Sequence, residues 1–120
     1  MKYRKKPVIV DAQQWFKNGD HPDDDCTTFE APVLGSTNCT EPVLTEGKIV
    51  RRFRNPDVGG EIVCKNCDYI MYWHGWVETL EGGQVVCPGD WIIKGHSDKH
   101  GVHYWAVKDD YFKKSYERVE

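Results

Sequence analysis

The sequence predicts a mainly β protein of the α+β class, either a compact small β-barrel or a curved antiparallel sheet, with one short C-terminal helix and a zinc knuckle. Three observations predict this class. Short runs of β-branched and aromatic residues recur in the second half, clusters of Gly, Pro and Asp separate them, and a Cys-x-x-Cys pair lies among them. The 120 residues suit a single domain, 1–120.

The first strand is expected over residues 8–16, because this run starts with β-branched residues and ends with aromatic ones. Residues 17–46 differ, since they are rich in Gly, Pro, Asp and Thr. They predict a long irregular loop region with at most one short strand near Val33 and Leu34. Loops of this length are often functional or disordered.

A second strand is expected over residues 48–54, with Ile49 and Phe53 on the same face. After a turn at residues 55–60, a strand resumes at 61–64. The aromatic run at 69–80 predicts one bent strand or two.

The remaining elements are shorter and are separated by turns. In order, we expect a hairpin turn at 81–84, strands at 85–87 and 91–94 around a tight turn at 88–90, a polar loop at 95–101 and a strand at 102–107. Residues 109–114 predict a helix, because acidic residues at its start and basic residues at its end match the helix dipole. Residues 116–119 could form a last strand.

Four residues form a candidate metal site. Cys64 and Cys67 have a spacing that can direct both sulfur atoms at one tetrahedral ion, and His74 and Cys87 can supply the other two ligands. Such a closed Cys₃His set predicts structural zinc, which would help a small, loop-rich domain to fold. The alternative is that the cysteines are buried thiols and that His74 caps a turn. A redox Cys-x-x-Cys is disfavoured because no βαβ pattern surrounds it.

Two further sets of metal-binding residue types are weaker candidates. Cys26, Cys39 and His21 could form a second site, although surface thiols are the commoner interpretation. A second set, His96, His100 and His103, surrounds one loop, where a solvated histidine loop is the main alternative to metal chelation.

Aromatic and arginine residues suggest a nucleotide-type ligand. The candidate binding residues are Arg51, Arg52, Arg54, Trp73, Trp76, Trp91 and Trp105. Indole rings can stack on a base, and guanidinium groups can bind phosphates. The alternatives are a β core built from large rings and a solvated strand face for the arginines.

Charge and motif content disfavour several classes of function. A net charge of −3 makes generic nucleic-acid binding an unfavoured role. No apolar run is long enough to cross a membrane, and the apolar run after the basic start is too short for a signal peptide, so a cytoplasmic protein is expected. No P-loop, G-x-S-x-G or H-E-x-x-H motif is present. Asp90 and Glu78 are candidate acids, but an Asp in Pro-Gly-Asp more often stabilises its turn.

The C-terminal half resembles a group of small bacteriophage and prophage proteins mostly without assigned function. The resemblance lies in Pro88-Gly89-Asp90-Trp91-Ile92-Ile93-Lys94-Gly95, in the ending Asp110-Tyr111-Phe112-Lys113-Lys114-Ser115-Tyr116-Glu117 and in residues 3–12. Some members carry the same Cys-x-x-Cys, His-Gly-Trp and Cys-Pro-Gly-Asp set, which implies zinc at Cys64, Cys67, His74 and Cys87. After Gly95 this chain departs from the group, because its loop is longer and rich in histidine.

The resemblance and the residues together suggest a non-enzymatic phage or prophage accessory protein. It would counter host defence by sequestering a nucleotide-derived immune signal, bound in a pocket or between the subunits of a homo-oligomer. One alternative is a zinc-stapled protein–protein interaction module that inhibits a host protein, with residues 17–46 as the contact surface. A second alternative is a metal-dependent hydrolase, which requires an open coordination position at the metal.

Overall fold

The computed structural model describes residues 1–3, 9–35, 38–55 and 57–119. The strands of this part are β1 (Asp11–Gln14), β2 (Thr28–Pro32), β3 (Thr40–Leu44), β4 (Arg51–Arg52), β5 (Gly75–Thr79), β6 (Gly82–Val86), β7 (Trp91–Ser97) and β8 (Gly101–Val107). A 3₁₀ helix (Met71–Trp73) precedes β5, and an α-helix, α1 (Asp109–Ser115), follows β8. The prediction of a mainly β fold with one short C-terminal helix is confirmed.

The strands form three antiparallel sheets. The first sheet has the order β1-β7-β8, the second sheet has the order β4-β5-β6, and β2 and β3 form a two-stranded sheet. Gln14 lies opposite Trp91 in the first sheet, and Trp76 lies opposite Val85 in the second. Among the described residues no strand joins β6 to β8, so the sheets curve around each other without closing a barrel.

The main core lies between the first and second sheets. Its buried residues are Trp15, Val50, Val77, Val86, Ile92 and Ala106. Trp15 follows β1 directly, and its indole is only 2% exposed. A Cβ added to Gly75 would lie 2.9 Å from the Trp15 ring, so the absence of a side chain on β5 makes room for the indole.

A second, smaller core lies on the opposite face of the second sheet. It contains Cys64, Met71 and Cys87, with Phe53 and Val85 packed against them. Successive residues of a strand point to opposite faces, so Val86 faces the main core and Val85 faces this second core. The candidate metal residues therefore pack on the outer face of the second sheet.

The prediction of an irregular loop over residues 17–46 is wrong in part. Residues 28–44 contain the β2–β3 hairpin, whose strands lie on either side of Val33 and Leu34 rather than at them. Pro32 and Pro42 argued against strands in the sequence. A two-stranded hairpin has a free edge on both sides, and edge strands tolerate proline.

The strand predicted over residues 48–54 is reduced to Arg51–Arg52. The backbone N–H groups of Ile49 and Val50 are instead donated to Asp24 Oδ1, at 2.6 and 3.3 Å. This carboxylate comes from a segment more than twenty residues earlier in the chain, so no local pattern could predict it. The first predicted strand also shortens, to Asp11–Gln14, and its first residue, Val8, lies outside the described residues.

Other element boundaries also differ from the predictions. Residues 61–64 form only a single bridge, between Val63 and Ile70, and the run 69–80 begins with the 3₁₀ helix before β5. The turn expected at 81–84 is centred on Leu80 and Glu81, so the following glycines belong to β6. Strand β7 extends to Ser97, into the expected polar loop.

The C-terminal segment contains the predicted helix but no last strand. Helix α1 begins at Asp109, and residues 116–119 are not assigned to a strand. The predicted turn at 55–60 includes Pro56, which lies outside the described residues. None of the described helices is both long enough and apolar enough to cross a membrane.

Candidate metal centre

The ligand atoms of Cys64, Cys67, His74 and Cys87 all lie within 4.8 Å of one another. The Sγ atoms of Cys64 and Cys87 are 3.8 Å apart, and Cys67 Sγ is 3.2 Å from His74 Nε2. A tetrahedral ion with metal–sulfur bonds near 2.3 Å places two sulfur atoms about 3.8 Å apart. The four residues could therefore hold a metal ion with little movement.

A tight loop places the first two cysteines side by side. The Cys64 N–H is donated to Tyr69 O at 2.8 Å, and the Asp68 N–H is donated to Cys64 O at 3.0 Å. Asp68 has a φ of 66°, a left-handed conformation that non-glycine residues seldom adopt. The loop also aims the Asn66 N–H at Cys64 Sγ, at 3.4 Å, as expected for a knuckle that stabilises a thiolate.

His74 is fixed by the turn that precedes it. Its backbone N–H caps the 3₁₀ helix by bonding Met71 O at 2.9 Å. Its Nδ1 lies 3.0 Å from Ile70 O, so the proton of the neutral ring sits on Nδ1 and is donated to that carbonyl. The lone pair of Nε2 then faces the cysteines, which is the arrangement found in histidines that bind metals.

Cys87 lies where β6 meets the Pro-Gly-Asp turn. Asp90 is buried, and its Oδ2 accepts the Cys87 N–H at 2.9 Å and the Lys108 ammonium at 3.1 Å. The Lys108 ammonium, held by Asp90, also lies close enough to interact electrostatically with the Cys87 sulfur. These contacts favour a positioning role for Asp90 over the role of a catalytic acid.

The thiols respond differently to their surroundings. Burial raises the pKa of Cys87 to about 12, and burial also raises the pKa of Cys67. Burial acts in the same direction on Cys64, but the N–H groups of Asn66 and Cys67 outweigh it and hold the pKa of Cys64 below its usual value. Without a metal, Cys67 and Cys87 are therefore neutral at pH 7, and a bound cation would displace their protons.

The donor set is closed. Cys64, His74 and Cys87 are buried, and Cys67 is partly buried. Four protein ligands complete a tetrahedral shell and leave no position for water or a substrate. The site can thus hold an ion that crosslinks the 3₁₀ helix, the knuckle and the end of β6.

The weaker metal candidates do not converge. Among the residues that the structure describes, no second group of three or more His, Cys, Asp or Glu ligands comes together. His21 is buried, and its Nδ1 accepts the Asp23 N–H. Of the two cysteines considered with His21, only Cys26 is close to it in sequence. His103 stacks on Trp105, with ring centroids 5.3 Å apart.

The three candidate arginines have different environments. Arg52 donates to Leu44 O at 2.6 Å, and Arg54 pairs with Glu46. The Arg51 side chain makes no hydrogen bond or ion pair with any described residue, and the Cα of Arg51 lies opposite that of Trp76 in the β4–β5 pair. Of the three guanidinium groups, that of Arg51 is the one available for an anion.

The four candidate tryptophans are distributed over separate surfaces. Trp91 stacks on Phe112 at 3.9 Å and donates its indole N–H to Asp109, so it anchors α1. Trp73 is 65% exposed and lies on the 3₁₀ helix. Trp105 lies on β8 and lines a cleft. The β4–β5 register places the Cα atoms of Arg51 and Trp76 opposite each other, but the Trp76 indole lies over Gly83 of β6, on the other side of β5.

Sequence reasoning missed the contact of Lys108 with Cys87 and the burial of Trp15. Lys108 directly precedes two aspartates, and this pattern suggests only a solvent-exposed charge at the start of a helix. Trp15 lies outside the aromatic-rich second half of the chain. Neither residue carries a local signal, since both roles arise from contacts between distant segments.

Comparison of the chain with protein-family models, curated proteins and solved structures found no match.

Proposed function

We propose that this chain is a non-enzymatic binding protein whose Cys₃His centre holds a structural zinc ion. The observation that carries the proposal is the convergence of Cys64, Cys67, His74 and Cys87 into a closed set. A catalytic zinc keeps one position open for water or substrate, whereas four protein ligands occupy all positions. A metal-dependent hydrolase is therefore disfavoured.

The chemistry of the donors favours zinc. Three thiolates and one imidazole are soft or intermediate ligands, which exclude magnesium and calcium as good fits. Three thiolates and one Zn²⁺ carry a net charge of about −1. The ammonium group of Lys108, held near the Cys87 sulfur by Asp90, offsets that charge in a partly buried setting.

The proposed ligand is a nucleotide-derived signal, bound without turnover by an accessory protein of the phage or prophage type in the cytoplasm of the bacterial host. Two features support this chemistry. The Arg51 guanidinium has no hydrogen bond or ion pair with a described residue, and a cleft of about 630 Å³ is lined by Trp105. Guanidinium groups bind phosphates, and indole rings stack on bases.

A second candidate function is that of a protein–protein interaction module. The segment that carries the metal ligands exposes five large apolar residues, each more than half accessible: Ile62, Val63, Tyr69, Tyr72 and Trp73. Exposed apolar patches often mark contact surfaces. In this case zinc would hold the patch in shape, and the partner would be a host protein.

Native mass spectrometry of the protein purified from host cells tests the proposal. We expect one zinc per chain and a retained mass of nucleotide size. A His74→Ala variant should lose zinc and unfold at a lower temperature. A non-enzymatic protein has no catalytic rate that the substitution could change. Wild-type protein that folds without metal would refute the structural role, and zinc with only a captured protein would favour the second candidate.

A further inference from the structure

The curved sheets leave a cleft between strands β6 and β8. Its volume is about 630 Å³, within the range of about 300–1,000 Å³ typical of small-molecule sites. The end of the β5–β6 hairpin forms one wall, and residues 103–106 of β8 form the other. The cleft lies at the edge where the barrel fails to close.

One side chain that lines this cleft bonds the backbone of β8. The carboxamide of Gln84 donates to Ala106 O at 2.8 Å and accepts the Ala106 N–H at 3.0 Å. The planar carboxamide, which presents a donor beside an acceptor, thus forms two hydrogen bonds with the free edge of β8. The edge is therefore able to recognise a carboxamide-type pattern.

The same pattern recurs one step along β8. In an antiparallel pair, the N–H and C=O groups of alternate residues face the same edge. Because Ala106 directs both groups away from β7, Tyr104 directs both of its groups to the same side. No described residue bonds the N–H or C=O of Tyr104 on that side. The N–H and C=O groups of Tyr104 thus offer the cleft a donor and an acceptor without a partner among the described residues. Their spacing is the same as that of the Ala106 groups that Gln84 bonds.

The other groups of the cleft suit a flat ring. Trp105 and His103 are partly buried, stack on each other and line the wall beside Tyr104. On the opposite wall, a Cβ added at Gly82 would meet no atom within 4 Å, so the space there is empty. The lining residues include the carboxylate of Glu81 but no lysine or arginine, so a phosphate has no lysine or arginine partner inside.

We propose that this cleft binds a nucleobase or a base-like heterocycle. The base pairs its donor–acceptor edge with the backbone of Tyr104, as the Gln84 carboxamide pairs with Ala106, and it contacts the Trp105 indole. Any phosphate of the ligand stays outside the cleft. The inference rests on the proposed nucleotide-binding function and assigns the site of its base.

An NMR titration of the zinc-loaded full chain with uridine and with 3-methyluridine tests the site. Uridine presents N3–H beside a carbonyl oxygen, whereas methylation removes that donor and blocks the edge. We expect uridine at millimolar concentration to shift the amide signal of Tyr104 and the indole signal of Trp105. The methylated nucleoside should bind at least about tenfold more weakly, because a paired carbonyl loses its donor.

Two variants separate the cleft from other aromatic surfaces. Trp105→Ala should weaken uridine binding about tenfold or more, as expected for loss of an aromatic ring that contacts the base. Trp73→Ala removes an exposed indole outside the cleft and should leave the affinity unchanged. The dispersion of each variant's spectrum reports whether it is folded, and Trp105→Phe is a milder replacement if Trp105→Ala is not.

The outcomes distinguish the site from the function. Equal affinity for uridine and 3-methyluridine would refute edge recognition. Shifts confined to Arg51 and Trp76 would refute the cleft but leave nucleotide binding intact. Absence of any shift with uridine, cytidine, adenosine and guanosine at millimolar concentration would refute both the cleft and the nucleotide ligand, while the zinc content would still test the structural metal.

Discussion

Replacing Cys87 by serine removes one of four metal ligands while keeping a side chain of similar size. Structural zinc contributes about 10–16 kcal/mol of binding free energy in small domains, so one ligand of four corresponds to about 3 kcal/mol. Every 1.4 kcal/mol is tenfold in affinity, so the Cys87→Ser protein should bind zinc about a hundredfold more weakly. Cys87 is 3% exposed, and the new hydroxyl would be buried among apolar side chains.

Zinc competition against a chromophoric chelator measures this loss, and thermal unfolding measures its consequence. A loss of about 3 kcal/mol should lower the midpoint by about 10 °C in a domain of this size. The matched control is Cys26→Ser, the same chemical change at a cysteine outside the metal cluster, which should alter neither quantity. A Cys87→Ser protein with wild-type zinc affinity and midpoint would refute the assignment of this ligand.

Three further predictions concern the surroundings of the centre and the main core. Lys108→Met should weaken zinc binding about tenfold to a hundredfold in the chelator assay, because the variant loses the ammonium group that bonds Asp90, the residue that accepts the Cys87 N–H. Unchanged affinity would contradict this role. Trp15→Ala should reduce the free energy of unfolding, measured by urea denaturation, by about 3–5 kcal/mol, because the indole is almost fully buried. A loss below about 1 kcal/mol would contradict the place of Trp15 in the core. Burial, assisted by Lys94 and opposed by Asp24 and Asp23, lowers the pKa of His21, whose ring also meets the edge of Tyr104. The folded protein therefore resists protonation of His21, so stability should be full above pH of about 6.5 and fall as pH drops below it. His21→Gln should flatten that part of the stability–pH curve, and an equally steep curve in the variant would assign the fall to other groups.

The candidate metal centre was largely predictable because the residues that indicate it lie close together in the sequence. Cys64 and Cys67 share one tight loop, His74 follows within a few residues, and Cys87 directly follows the adjacent strand β6. Ligand type and spacing are sufficient to indicate such a cluster. Helix α1 was predictable for a similar reason, since its charges match its own dipole.

The incorrect predictions occur where a group from a distant segment forms the hydrogen bonds or ion pairs of a residue. The carboxylate of Asp24 takes the N–H groups of Ile49 and Val50 and so shortens a strand that its residue types favour. Arg54 and Arg52 look available for phosphate in the sequence, but they are occupied by Glu46 and by Leu44 O. These contacts depend on which segments approach each other, and residue types alone do not encode that approach.

The mainly β class, the C-terminal helix and the four residues of the candidate metal site follow from the sequence, because alternation, charge order and ligand spacing act over a few residues. The tertiary structure alone decided the burial of Trp15, the contact of Lys108 with Cys87 and the open cleft beside Tyr104. Each of these depends on how the two curved sheets meet. That geometry results from packing between residues far apart in the chain, which leaves no local pattern in the sequence.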